Sequence, residues 1–135
     1  HRPDDAAGAI NVHCHVSNRH DARDYWAPFQ LEYLRWVVTL VAGRAVPLEQ
    51  VRPYWASLES PDAQAICGTP GEVADRLGSF AEAAGGVDLW LFQGDQGGLP
   101  YGEVIESMTL FADEVLPAID PPAGTPNVST GGPGA

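Results

Sequence analysis

The sequence has no lysine: all seven basic residues are arginine, against 18 acidic ones, for a formal net charge of −11. A chain this acidic, with no basic stripe, is not built to bind nucleic acid or an anionic membrane. Cysteine is scarce. Cys14 and Cys67 are the only two, too few and too far apart for a disulfide framework, so a reduced cytoplasmic protein is expected. No apolar run approaches the roughly 20 residues of a membrane span, and no basic start leads into an apolar stretch as in a signal peptide. Methionine occurs once, at Met108, and the chain opens on "HRPDDAAGA" from His1. That opening reads as a linker over residues 1–9, and the chain as a fragment. The sequon at Asn127 to Ser129 lies in a loose tail and is read as chance.

What is present supports a folded domain. At 135 residues and 44% hydrophobic, the chain can bury a core. "INVHCHV", Ile10 to Val16, alternates with Ile10, Val12, Cys14 and Val16 on one face and Asn11, His13 and His15 on the other. This is the pattern of a strand. "SNRHD" follows, with Asn18 or Asp21 as candidate caps. Ala22, Trp26, Phe29, Tyr33, Trp36 and Leu40 then recur at helical spacing, with Pro28 expected to kink or restart the helix. A proline-containing connector holds a short helix near Leu48 to Trp55.

"AIC" is a short strand candidate. In "GTPGEVADRLGSF", Thr69 caps a helix, Pro70 takes its first position and Glu72 completes a capping box. Val73, Leu77 and Phe80 form its buried stripe, and Gly85 and Gly86 stop it. Val87 to Phe92 is apolar at nearly every position, as for a parallel strand buried on both faces. Gly97 to Pro100 lead into a helix with Val104, Met108, Phe111 and Val115 on one side. From Asp120, Pro, Gly, Ser and Thr predict a disordered tail. Consecutive βα units predict an α/β fold with parallel strands and right-handed crossovers.

"ICGTPGEVADRLGSFAEAAGGVDLWLFQ" followed by "GGLPYGEVIESMTLFADEVLPAI" resembles the C-terminal end of the bacterial luciferase-like, flavin-dependent monooxygenases. Members carry a Gly-Ser/Thr-Pro-Glu-Glu-Val helix start, a Gly-Val-Asp strand, and Gly-Gly-Leu-Pro before a helix ending in Glu-Val-x-Pro-Ala. Here Gly71 stands where the first glutamate is usual. "INVHCHVSNRHDARDYWAPFQLEYL" is similar to the family's sixth strand and helix. The resemblance covers residues 10–119 and implies the last three βα units of a TIM (β/α)8 barrel, which typically has about 250 residues. It further implies reduced flavin (FMN) as cofactor, a small organic substrate oxidised with O2, and a homo-oligomer. A deazaflavin-dependent oxidoreductase of the same fold is the alternative. The family's catalytic residues come from units absent here, so no catalytic residue is carried over and this chain alone is expected to be inactive.

In a barrel, ligands meet the loops after the strands. That makes Gly68 and Thr69, at a helix N-terminus suited to an anion, one candidate cofactor contact. Gln93, Gly97 and Gly98 are the others, glycine permitting close backbone approach. The plain readings are a helix cap and a tight turn. His13 and His15 have the spacing of two metal ligands, but no motif supplies a third from His20 or Asp95, and no metal site is assigned. Cys14 falls on the apolar face and is expected to be inert. The tryptophans Trp26, Trp36, Trp55 and Trp90 are read as packing residues. A rival reading is a non-catalytic remnant that dimerises through open strand edges; a metal hydrolase built on the histidine strand is a third.

Overall fold

The computed structural model describes residues 8–54, 60, 63 and 65–120. Most of the N-terminal linker, Trp55, and the tail beyond Asp120 with its sequon lie outside these residues. The described elements are β1 (Ala9–Val16), α1 (Ala22–Ala42), α2 (Leu48–Val51), β2 (Ala65–Gly68), α3 (Pro70–Ala83), β3 (Leu89–Gln93) and α4 (Tyr101–Leu110). A π-helical turn, Phe111–Val115, continues α4 into α5 (Leu116–Ile119). The fold is α/β, and all strand pairings are parallel.

Strand order is β2-β1-β3. This corrects the expected succession of barrel units, in which β2 would stand between the other two. Here β1 is central, pairing His13 with Ala65 on one side and Ile10 with Trp90 on the other. The ends of the segments hold β3 there. Asp88 Oδ2 accepts from Gly8 N at 2.6 Å, while Gly8 O accepts from the amides of Asp88 and Leu89. The chain therefore reverses its direction of travel across the sheet, stepping from β1 to β2 and then back past β1 to β3. With right-handed crossovers, such a reversal places helices on opposite faces.

The cores follow that division. Val12, Cys14, Val16 and Ile66 pack with Val73 and Leu77 of α3 and with Val115. On the opposite face, Trp26 of α1 packs with Ala65, Leu99 and Val104. The α3 start is as read from the sequence: Thr69 Oγ1 accepts from Glu72 N, and Glu72 Oε2 accepts from Thr69 N at 2.9 Å. α1 runs unbroken through Pro28 and closes on Gly43 at φ 65°. Asp21 stands at its N-cap without a side-chain cap bond; its carboxylate holds Arg19 instead.

Two burial expectations fail. α1 buries Ala22, Trp26, Gln30 and Leu31, whereas Trp36 and Leu40 are exposed. β3 is an edge strand among the described residues, and its Leu89 and Leu91 are half exposed. In both cases the apolar pattern is that of a buried element, and no described neighbour covers it.

Candidate functional site

Parallel strands send their following loops to one rim, and three such loops meet here. The β1–α1 loop begins at Ser17, whose N donates to Gly68 O of β2. Arg19 makes two charge-assisted bonds to Asp21, at 2.9 and 3.0 Å, and its guanidinium lies 4.3 Å from the Tyr25 ring centre. Those contacts hold the Asp21 carboxyl below its ordinary range.

At the carboxyl ends of β1 and β3 is a cavity of about 450 Å³, walled by Cys14, Val16, Phe92, Ser107, Met108 and Phe111, with Gly94 and Asp95 at its lip. Phe92 and Phe111 close one side, ring centres 4.3 Å apart. Ser107 fixes α4 over the strand end: Val16 N donates to its Oγ at 2.8 Å. Cys14 supplies no nucleophile. Burial first, and then the neighbouring Cys67, push its thiol up to about 12; burial pushes Cys67 up to about 12 as well. Thiolate, the reactive form, is scarce at neutral pH for either.

A second cleft, of about 510 Å³, opens at the end of β2 between Arg19, Arg23, Cys67, Glu72, Asp75 and Arg76. Its charges are largely engaged: Arg76 Nη2 donates to Ser60 O and Ala63 O, and Arg19 holds Asp21.

The five residues read from the sequence as cofactor contacts do not form one site. Gly68 borders the β2 cleft, and a Cβ on it would lie 2.5 Å from Glu72 Oε2. Glycine there leaves room for the carboxylate that satisfies the Thr69 amide. Thr69 is committed to the same box. Gln93 borders the β1–β3 cavity, but its side-chain oxygen accepts from Tyr33 OH at 3.4 Å on the α1 side. Gly97 and Gly98 adopt φ of 59° and 81° and border neither cavity. Gly97 lies on α1, where a Cβ would overlap the Phe29 carbonyl and come 2.9 Å from its Cα. The paired glycines let this loop dock on a helix backbone.

His13 and His15 do share the α1 face. Gln30 Nε2 donates to His13 Nδ1 at 2.7 Å, leaving the proton of the neutral ring on Nε2. Tyr33 meets the His13 ring edge-on at 4.9 Å. Burial lowers the pKa of both histidines, opposed at His13 by the Gln30 bond and at His15 by Glu106. Neither His20 nor Asp95 joins them: no group of three His, Cys, Asp or Glu that could hold a metal ion occurs among the described residues.

Sequence reasoning missed the polar layer around these histidines. His15, Trp26, Gln30 and Gln96 are each 1% exposed. Both ring nitrogens of His15, Trp26 Nε1, Gln30 Oε1 and Gln96 Oε1 have no hydrogen-bond partner among the described residues. An unpaired buried polar group costs on the order of 1–3 kcal/mol. The available signal was the spacing of Trp26 and Gln30, four residues apart on one helix face opposite the polar side of β1. No helix among the described residues is long and apolar enough to cross a membrane. No protein-family model matches the chain, and comparison with curated proteins finds no match.

Proposed function

We propose that this chain is the C-terminal part of a luciferase-like, flavin-dependent oxidoreductase acting on a small organic substrate, and that it contributes one wall of the flavin site. The motif series from Ile66 to Ile119 motivates the reading, and the cavity at the carboxyl ends of β1 and β3 carries it. Ligands of parallel α/β folds meet that end of the sheet in barrels and in open sheets alike. In open sheets with this central-first-strand order, the crevice between β1 and β3 is the place where FMN sits, a support by analogy of fold.

The residues suit the ring of a flavin and not its phosphate. Val16, Phe92, Met108 and Phe111 offer an apolar wall to a planar aromatic system, and Gly94 allows close backbone approach. Among the described residues no arginine lines this cavity, Asp95 does, and Glu72 already takes the Thr69 amide. Phosphate binding is therefore assigned to units outside this chain. Bound reduced flavin supplies the reducing equivalents; the residues described here bind, orient and exclude water. The order β2-β1-β3 is that of an open sheet and not of consecutive barrel strands, so the proposed flavin wall is the one this open sheet forms.

Titrating FMN, and separately a deazaflavin, into the protein while following cofactor fluorescence tests this reading. Saturable quenching is expected, and it should be lost in Gly94→Leu, whose Cβ meets Cys14 O at an ordinary 3.7 Å while the rest of the side chain fills the cavity. Whichever cofactor binds selects between the monooxygenase and the deazaflavin alternative. No response to either, from this chain and from a longer protein carrying the preceding βα units, overturns the proposal.

A second reading is favoured by one observation, the half-exposed Leu89 and Leu91 on an edge strand. It makes the chain a colourless module that pairs with its own copy through β3. Sedimentation showing a stable dimer that binds no flavin would favour it, and a monomer would remove it.

A further inference from the structure

Charge is divided unequally along the chain. Eight of the 18 acidic residues follow Arg76, and none of the seven arginines does, nor any histidine. The last helical segment, α4 with its π turn, lies wholly in that acidic stretch. Tyr101, Ile105 and Met108 recur on it at spacings of four and three, which is one face of a helix. They are 80%, 43% and 57% exposed, whereas Val104 and Ser107 are buried. The helix thus carries a second apolar face that the described fold leaves uncovered. Glu106, Asp113 and Glu114 of the same segment are exposed and form no ion pair among the described residues; Glu103 lies near Arg19. The exposed Trp36, Leu40 and Val41 of α1 differ. They are accompanied by the paired Glu32 and Arg35 and by Arg44, charges of both signs that select no partner.

We propose that the face formed by Tyr101, Ile105 and Met108 is a docking surface for an amphipathic helix with a basic flank, carried by a partner protein. Two helices bury apolar stripes by packing them against one another, and this stripe spans two turns. Charge decides among the possible occupants. A second copy would set Glu106, Asp113 and Glu114 against the same acids, and like charges brought together across an interface are unfavourable. An anionic membrane would meet the same repulsion. Lysine or arginine on one side of an incoming helix instead faces three carboxylates. Such side chains also cover apolar surface with their stems while the charged end stays in water. Apolar contact supplies the affinity, and the charges supply orientation and association rate. Met108 places the face beside the mouth of the β1–β3 cavity, but Tyr101 and Ile105 border neither cavity. The inference does not rest on the flavin reading.

The test uses the full chain and a fluorescent peptide of about 18 leucines and lysines, five helical turns, with its leucines on one face. One control is the same composition scrambled to break that face; the other has glutamate in place of lysine. Fluorescence anisotropy at physiological ionic strength reads the binding. Saturable binding of the amphipathic lysine peptide is expected, with both controls weaker by about tenfold or more. Tyr101→Ser and Ile105→Ser should each weaken it by about tenfold, the loss of one covered apolar side chain. Glu106→Gln combined with Asp113→Asn should weaken it by about fivefold. Both apolar positions are exposed, so these variants leave the core intact. Leu40→Ser on α1 and Glu82→Gln on α3, also exposed, should leave binding unchanged. Equal binding of the scrambled peptide, an equal loss in Leu40→Ser, or unaltered binding in the Tyr101 and Ile105 variants overturns the inference. So does sedimentation of the protein alone as a dimer that Ile105→Ser dissociates, which would give the face to a second copy. FMN titrations do not involve Tyr101 or Ile105, so the two proposals fail separately.

Discussion

Gly97 and Gly98 adopt left-handed backbone in the same loop, yet replacing them by alanine should have unequal effects. The φ of 59° at Gly97 and 81° at Gly98 impose a similar strain on any residue with a Cβ, about 1–2 kcal/mol. At Gly98 nothing lies within 4 Å of the new methyl group, so strain is the whole effect. At Gly97 the methyl overlaps the Phe29 carbonyl and lies 2.9 Å from its Cα. These are backbone atoms in the interior of α1, and no rotamer change relieves them. The loop has to lift from the helix, which uncovers Leu99 and Gln96, buried at 5% and 1% exposure. Re-exposing a leucine costs roughly another 1.5–3 kcal/mol. Gly97→Ala should then destabilise by about 2.5–5 kcal/mol in total and Gly98→Ala by about 1–2. Urea titrations followed by far-ultraviolet circular dichroism measure both. Equal losses, or the larger loss at Gly98, would show that the loop does not dock on α1 as described.

Three further outcomes are expected. Ser107→Ala leaves the buried Val16 amide without its acceptor and should lower stability by about 1–3 kcal/mol, read as a lower urea midpoint. His13 and His15 have pKa values lowered by burial, so the unfolded chain binds more protons below the ordinary value near 6.5. Stability should be flat above about pH 7.5 and fall as pH drops through 6.5 toward the lowered values, by at most about 1.4 kcal/mol per pH unit per histidine; a midpoint independent of pH from 8 to 5.5 would contradict this. With both thiols pushed up to about 12, iodoacetamide at pH 8 should label the native protein far more slowly than the urea-unfolded chain, by mass spectrometry. Equal labelling rates would place the cysteines at the surface.

The elements were legible where local chemistry decides them. Thr69, Pro70 and Glu72 specify a helix start through bonds made within four residues, and the structure forms both of them. Alternation in β1 separated the faces correctly, because side chains on a strand must alternate. Strand order was not legible, since parallel neighbours are joined by crossovers whose direction no local pattern encodes. The stripe in the last helix was misjudged for a definable reason. Ser107 takes the inward position, where it accepts from Val16 N, so α4 buries Val104 and Ser107 and leaves Met108 more than half exposed. Of the five expected contacts, Gln93 alone borders the β1–β3 cavity. The apolar wall contributed by Cys14, Val16, Phe92 and Phe111 was not legible, since such residues look the same whether they line a cavity or fill a core.

The central place of β1 has a consequence for how the molecule assembles. β2 and β3 share no hydrogen bonds with each other, so the first strand is the keystone between two shoulders that arrive later. One shoulder is secured by partners 80 positions along the chain, Gly8 and Asp88, and the clasp at the strand end, Val16 to Ser107, spans 91. Closures that distant are entropically slow. During synthesis β1 emerges long before either neighbour, its alternating apolar side uncovered, and must wait until Leu89–Gln93 has left the ribosome before its second flank is protected.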